Sequence, residues 1–355
     1  MLEEDAADEE EGLLCRRLRL NLGTLGLTPF SGAVAVEYLK AQLSKEGGPE
    51  RLSRVVGHLL NLLNGKRPTR ALHQTGCPNV IPNLTTRLVW GQGSESLRDV
   101  FPWVALLEDN VGVILDEFLS LRGTDAFQPY RSPPPSTITA SSTNAMDALG
   151  QLATDSGSWN VAYLYLHGLD FADNLLRCPK TAAIVAQIPR HYHHCFFSSM
   201  APQTHITPHY GSTNKKLRCH LPLVVPSSTA AWLRVGDERV GMQQGRCVIF
   251  DDSHEHEAGN DDFESPRVVL IVDVWHPDLS DEEVRFLSFV NKGQLAAAHR
   301  LANQRRVAAE SEEGPRPGPG SDFLSVILNA RAAAGDGLAT VSDAAVWGVH
   351  RVVDD

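Results

Sequence analysis

The sequence lacks any excess of positive charge: 32 Lys and Arg stand against 43 Asp and Glu in 355 residues, a formal net charge of -11. Nucleic-acid phosphates would repel such a chain, and no basic stripe with interleaved aromatics offsets the balance, so nucleic acid is not expected as a partner. Long apolar runs are missing too, none reaching the ~18 residues that a membrane helix needs. The amino-terminal MLEEDAADEEEGLLCRRLRL is acidic where a signal peptide would be positive. Both absences lead us to expect a soluble, cytoplasmic chain without a transmembrane segment. Cysteine is scarce and scattered, at 15, 77, 178, 195, 219 and 247 with no CxxC pair, so neither a zinc module nor a dense disulfide framework is indicated. Cys219 and Cys247 lie in strand-like runs and read as core thiols.

What the chain does have is enough apolar material, 42% of its residues, to bury a full core with room for a second module. Residues 1–27 read as a disordered acidic leader. Residues 28–99 read as an N-terminal helical region, with SGAVAVEYLKAQLSK and ERLSRVVGHLLNLLNGK carrying apolar residues three and four apart. Within it, residues 66–99 read as mixed loop holding the apolar patch Thr86 to Trp90. Phe101-Pro102-Trp103 opens VALLEDNVGVILDEFLSL, predicted as one long amphipathic helix stopped by Gly123. A Pro-, Ser- and Thr-rich insertion follows near 130–157. Residues 100–310 are expected to form the main domain, and 311–355 a linker with a short helical extension.

The densest chemistry lies between Ser198 and Pro277. Short apolar runs there alternate with turns: HHCFFSSM, THIT, KLRCHLPLVV, AAWLRV, RCVIFD, HEHEA and RVVLIVDVW. Seven or eight such strands with ligand-type residues at their ends fit a jelly roll. His209 follows a proline and opens the turn His209-Tyr210-Gly211-Ser212. His256 lies in Ser253-His254-Glu255-His256-Glu257, where a period of two puts it on one face with His254. Paired imidazoles suit iron, zinc, copper and nickel alike. The carboxylate that usually follows the first histidine by two residues in non-haem iron oxygenases is replaced by Gly211. Arg267 heads the apolar strand VVLIVDVW, where an unpaired charge is costly, so an anionic partner is expected.

Pro208-His209 with Gly211 and Thr213-Asn214, Leu217-Arg218-Cys219-His220-Leu221, Val248 to Ser253, Glu255-His256-Glu257 and Val272 to Pro277 together resemble the aspartyl/asparaginyl β-hydroxylase family. That resemblance implies an α+β protein built on a double-stranded β-helix, a cupin-like jelly roll, and covers roughly Val100 to Asp281. It implies Fe(II) and the co-substrates 2-oxoglutarate and O2, with two metal-binding histidines and no protein carboxylate, in keeping with Gly211. By position, His209 and His256 would be the catalytic metal ligands. Arg267, assisted by Ser198, would hold the distal carboxylate of 2-oxoglutarate, and Arg218 and His220 its end nearer the metal. The implied substrate is the β-carbon of Asp or Asn in a peptide or protein. The alternatives are a small molecule or lipid, on which related bacterial sequences act, and a catalytically silent binding module. Relatives in animals are anchored in the endoplasmic reticulum.

His205, His254 and His276 read as structural histidines, and the RHYHH cluster of His191, His193 and His194 as a polar turn. Asp251 and Asp252 are expected to orient histidines from behind. Gly211 is expected to serve a tight turn through positive φ.

Overall fold

The computed structural model describes residues 48–292, save 64, 65, 67, 93–95, 122, 131–153, 167 and 228, together with Glu37, Leu39 and Ala41. The acidic leader, most of the first helical segment, the bulk of the insertion and the extension 311–355 lie outside the described residues.

Alternating and continuous apolar runs produce thirteen described strands: β1 (Val89–Trp90), β2 (Gln128–Pro129), β3 (Thr154–Ser156), β4 (Trp159–Leu166), β5 (Leu169–Asp170), β6 (His191–Met200), β7 (Thr204–His209), β8 (Lys216–Val224), β9 (Ala231–Val235), β10 (Glu238–Gly241), β11 (Val248–Phe250), β12 (His256–Asn260) and β13 (Arg267–Trp275). A large sheet runs β1-β11-β8-β13-β6-β4-β2, with β5 on β4, and a small one runs β10-β9-β12-β7-β3. Their pairings are antiparallel throughout. The two sheets enclose one apolar layer in which Phe196, Val269 and Ile271 of the large sheet meet Ile206, Leu233 and Ala258 of the small one. This is the expected jelly roll. β13 lies between β8 and β6, and all nine of its residues are buried, as its unbroken apolar sequence requires.

The helices are α1 (Gly48–Leu63), α2 (Leu97–Val100), α3 (Val104–Glu108), α4 (Val111–Leu121), α5 (Ala172–Arg177), α6 (Pro179–Val185) and α7 over 281–292. Leu107 of α3, Ile114 and Phe118 of α4 and Val185 of α6 cover the outer face of the large sheet against Phe197, Leu221 and Leu270. The predicted long helix is thus two, broken at Asp109-Asn110, where the Asn110 amide donates to Leu106 O at 2.9 Å. A side chain bonding the backbone in this way competes with helix propagation. Pro179 opens α6, and the Glu117 carboxylate accepts from Lys180 N and Thr181 N, closing its orphan donors.

Leu52, Val55 and Leu59 of α1 bury against Ile81, Trp275, Leu279 and Phe286, each contributing about 1.5–3 kcal/mol. The stretch expected as mixed loop supplies β1, with Val89 opposite Phe250 and Trp90 opposite Ile249. Asn214 then ties the chain before β1 down, accepting from Ile81 N at 2.7 Å and donating to Ile81 O at 2.9 Å. His191, His193 and His194, expected as a turn, are the start of β6. Pairing of that segment with β13 outweighs its polar composition.

Candidate active site

Strand register gathers the site. Across the inner face of the large sheet, Trp159, Met200 and Arg267 stand opposite one another on β4, β6 and β13. Two residues along, Val161, Ser198 and Val269 form the next rung, and beyond it His220 pairs with Ile271 and Arg218 with Asp273. Cross-strand neighbours share a face, so Ser198, Arg218, His220 and Arg267 all face the space between the sheets. The small sheet closes it with His209 directly opposite His256.

The two imidazoles lie with ring centroids 4.1 Å apart. His209 Nδ1 donates to Thr207 O and His256 Nδ1 to His254 O, both at 2.8 Å. A carbonyl only accepts, so the proton sits on Nδ1 and each Nε2 keeps its lone pair. Among the described residues neither Nε2 has a hydrogen-bond partner. Burial lowers the pKa of both rings, and for His256 the neighbouring His209 adds to the effect. Two neutral nitrogen donors with fixed tautomers are what a divalent transition metal requires. Among the described residues no group of three or more His, Cys, Asp or Glu could hold a metal ion.

Gly211 does not have positive φ, which corrects the turn argument. Its N donates to Asp252 O at 2.6 Å, and a Cβ on it would meet Asp252 Cγ and Oδ1 at 2.7 Å. Close approach to Asp252 is the reason for glycine there.

Behind the imidazoles lies a buried ion cluster. Lys216 Nζ reaches Asp252 Oδ2 at 2.6 Å and Asp273 Oδ2 at 2.9 Å. Arg218 forks onto Asp273 through Nε at 2.8 Å and Nη2 at 2.9 Å, with Nη1 3.4 Å from Asp252. His194 Nδ1 lies 2.9 Å from Asp273. Burial opposes the charge of Arg218, but Asp273 and Asp252 prevail and raise its pKa. Asp273 answers in kind: burial works against it, and Arg218 and Lys216 hold it well below the carboxylate range. Arg218 therefore faces the space between the sheets already paired.

Arg267 is different. Only 1% exposed, it donates from Nε to Met242 Sδ at 3.1 Å and from Nη1 to Met200 Sδ at 2.7 Å, and its Nη2 lies 3.4 Å from His220 Nδ1. No carboxylate pairs with it among the described residues. Burial alone pulls its pKa down to about 10. Burial, then Arg267, hold His220 well below the ordinary histidine range, so that ring is neutral. Ser198 Oγ accepts from Trp159 Nε1 at 2.8 Å.

His205 sits outside the cavity between Asp155 and Glu257, and His276 lies against Thr85 O at 3.1 Å. Sequence reasoning passed over Lys216, His194, Asp273 and Trp159. Asp273 carried a signal: an acid inside VVLIVDVW needs a cation. The identity of that cation depends on strand register.

Residues 108–277, which hold both imidazoles and Arg267, match a family model. That family is Aspartyl/Asparaginyl beta-hydroxylase. The likeness first read from the ordered motifs is thereby shown for this segment. Among curated relatives, human "Aspartate beta-hydroxylase domain-containing protein 2" is 36% identical over 145 residues, 39% of this chain and 39% of that protein. Human "Aspartyl/asparaginyl beta-hydroxylase" is 36% identical over 137 residues, 38% of this chain and 18% of that protein. "Ornithine lipid ester-linked acyl 2-hydroxylase" of Rhizobium tropici is 37% identical over 127 residues, 36% of this chain and 44% of that protein. In each case the match spans less than half of the relative's own length. Among the described residues no helix is long and apolar enough to cross a membrane.

Proposed function

We propose that this chain is an Fe(II)- and 2-oxoglutarate-dependent dioxygenase that hydroxylates the β-carbon of aspartate or asparagine in a peptide or protein. The observation that carries the reading is Arg267, a buried guanidinium with two thioethers and a neutral imidazole around it and no acid among the described residues. Such a charge is costly until an anion reaches it, and a carboxylate matches its planar fork.

In this reading His209 and His256 hold the metal through Nε2. Arg267, with Ser198, takes the distal carboxylate of 2-oxoglutarate, and His220 and Arg218 flank the end nearer the metal. When bound, iron supplies the redox chemistry that converts O2, 2-oxoglutarate and a substrate C–H bond into succinate, CO2 and an alcohol. The chain's own residues orient and exclude water. The apolar layer of Phe196, Val269 and Ile271 walls the cavity, and Asp273 fixes the direction of the Arg218 fork.

The acyl 2-hydroxylase among the relatives favours a second reading, a lipid or small-molecule hydroxylase. Succinate release decides between them, measured with a peptide presenting Asp or Asn and, separately, with an acylated lipid. Turnover on the peptide supports the proposal, and turnover on the lipid alone replaces its substrate. Binding of Mn(II) and 2-oxoglutarate with no succinate from either leaves a silent binding module.

A further inference from the structure

We propose that Tyr130 is a co-substrate-binding residue, closing the 2-oxoacid cleft with its ring and presenting its hydroxyl to the bound acid. This rests on the reading of Arg267 given above and extends it to a residue with no part in that reading.

Tyr130 follows β2, the edge strand of the large sheet. Gln128 pairs with Val161 and Pro129 with Asn160, and Tyr130 N continues the ladder by donating to Trp159 O at 2.9 Å. Tyr130 therefore stands at the end of the rung that runs through Trp159 and Met200 to Arg267. Its ring stacks on Trp159 with centroids 3.9 Å apart and an interplanar angle of 24°. That indole is itself fixed by its hydrogen bond to Ser198, so the aromatic pair is anchored beside the proposed carboxylate site. The ring packs against the same apolar layer that lines the cavity.

The ring is half-buried against that layer, and its hydroxyl makes no hydrogen bond among the described residues, which leaves it able to turn to a ligand. A residue needed only for stacking would do as well as phenylalanine. Burial raises the phenol's pKa, Arg218 works the other way, and Asp252 and Asp273 raise it further. The phenol therefore stays protonated, as a donor. A ring stacked on Trp159, at the end of the rung that leads to Arg267, is placed to flank an extended dicarboxylate bound there.

The test is calorimetric titration of 2-oxoglutarate into the anaerobic Mn(II)-loaded full chain. Tyr130→Phe keeps the stack and removes the donor; it should weaken 2-oxoglutarate binding roughly tenfold or more, the loss of a hydrogen bond to a charged group, with Mn(II) affinity and melting temperature unchanged. Tyr130→Ala should weaken it further, and equal constants for the two variants would overturn the role of the ring. Wild-type affinity in Tyr130→Phe overturns the hydroxyl contact while leaving the function intact. A wild-type chain that takes up Mn(II) but no 2-oxoglutarate overturns the function and this proposal together. Should Tyr130→Ala fail to fold, Tyr130→Phe decides the hydroxyl alone, and Tyr130→Leu replaces alanine for the ring.

Discussion

Arg267 is a side chain that the folded protein holds at a disadvantage. A fall in pKa from 12.5 to about 10 corresponds to about 3 kcal/mol against its charged form. Replacement by a flexible apolar residue should therefore act in opposite directions on stability and on binding. Arg267→Met is expected to melt higher than wild type by calorimetry without co-substrate. Its apparent affinity for 2-oxoglutarate should fall by about 2–5 kcal/mol, the range for cutting one partner from a buried charged pair. A variant that melts lower and binds normally would move the carboxylate elsewhere. Gly211 offers a second residue-level test. Because a Cβ there would stand 2.7 Å from the Asp252 carboxyl, Gly211→Ala should lose about 1–3 kcal/mol by overpacking, read by denaturant unfolding. An aspartate at that position would add a like charge against Asp252, so restoring the usual triad carboxylate should weaken the fold and leave turnover no better. His209→Ala and His256→Ala each remove half of the proposed protein ligands and should abolish Mn(II) uptake in an equilibrium titration.

At the scale of strands, the outer face of the small sheet is tied across its width. His205 on β7 meets Asp155 on β3 at 2.9 Å and Glu257 on β12 at 2.8 Å. Burial works against its charge, yet the bonds to Glu257 and Asp155 prevail and raise its pKa above the ordinary 6.5. A histidine raised in this way contributes stability that is complete below 6.5 and is lost as pH rises through the raised value. Glu257 is held low, burial opposing and Arg234 and His205 prevailing, so it stays ionised over that window. The melting-temperature gap between wild type and His205→Gln should be widest near about pH 5 and close toward about pH 8 and beyond. A gap independent of pH would mean that packing against Trp232, 5.9 Å away, is the whole of the role of His205.

Most of these strands were legible because their alternation is long enough to leave a signal. RVVLIVDVW and KLRCHLPLVV could hardly be anything else. β1 and β2, of two residues each, carry no period at all and exist only because a sheet edge accepts them. Tyr130 stayed hidden for that reason, sitting between a two-residue strand and a polar insertion. The imidazole pair and Arg267 were visible as residue types in ordered motifs. The Arg218–Asp273 fork, 55 residues apart in sequence, was not, since it depends on β13 lying beside β8. Of the readings of Gly211, only the positive-φ turn fails: a close approach by Asp252 leaves no mark in a sequence, whereas a turn does.

For the molecule as a whole, the stretch before Gly91 belongs to the barrel. A chain trimmed to begin there loses β1 and the Asn214 bonds to Ile81, and it bares Trp275 and Leu279 where α1 and Ile81 had covered them. It should melt lower and associate with rising concentration in sedimentation, because β11 becomes an open edge.

Arg234 grips both Glu255, just before β12, and Glu257 within it, the two residues that flank His256. β12 cannot slip by one residue without tearing both carboxylates from one guanidinium, so His256 is aimed inward before any ion arrives. On the proposed reading the imidazole pair is a standing socket: chelator-treated protein should keep its far-ultraviolet spectrum and reload Mn(II) one to one, and unfolding on chelation would contradict this. A rigid pair of neutral nitrogens adds no charge that favours iron. It ranks ions by their intrinsic affinity for imidazole, in which copper and zinc outrank iron. Which ion fills the socket is then settled by what the surroundings supply, and equimolar zinc is expected to poison the loaded protein without disturbing its fold.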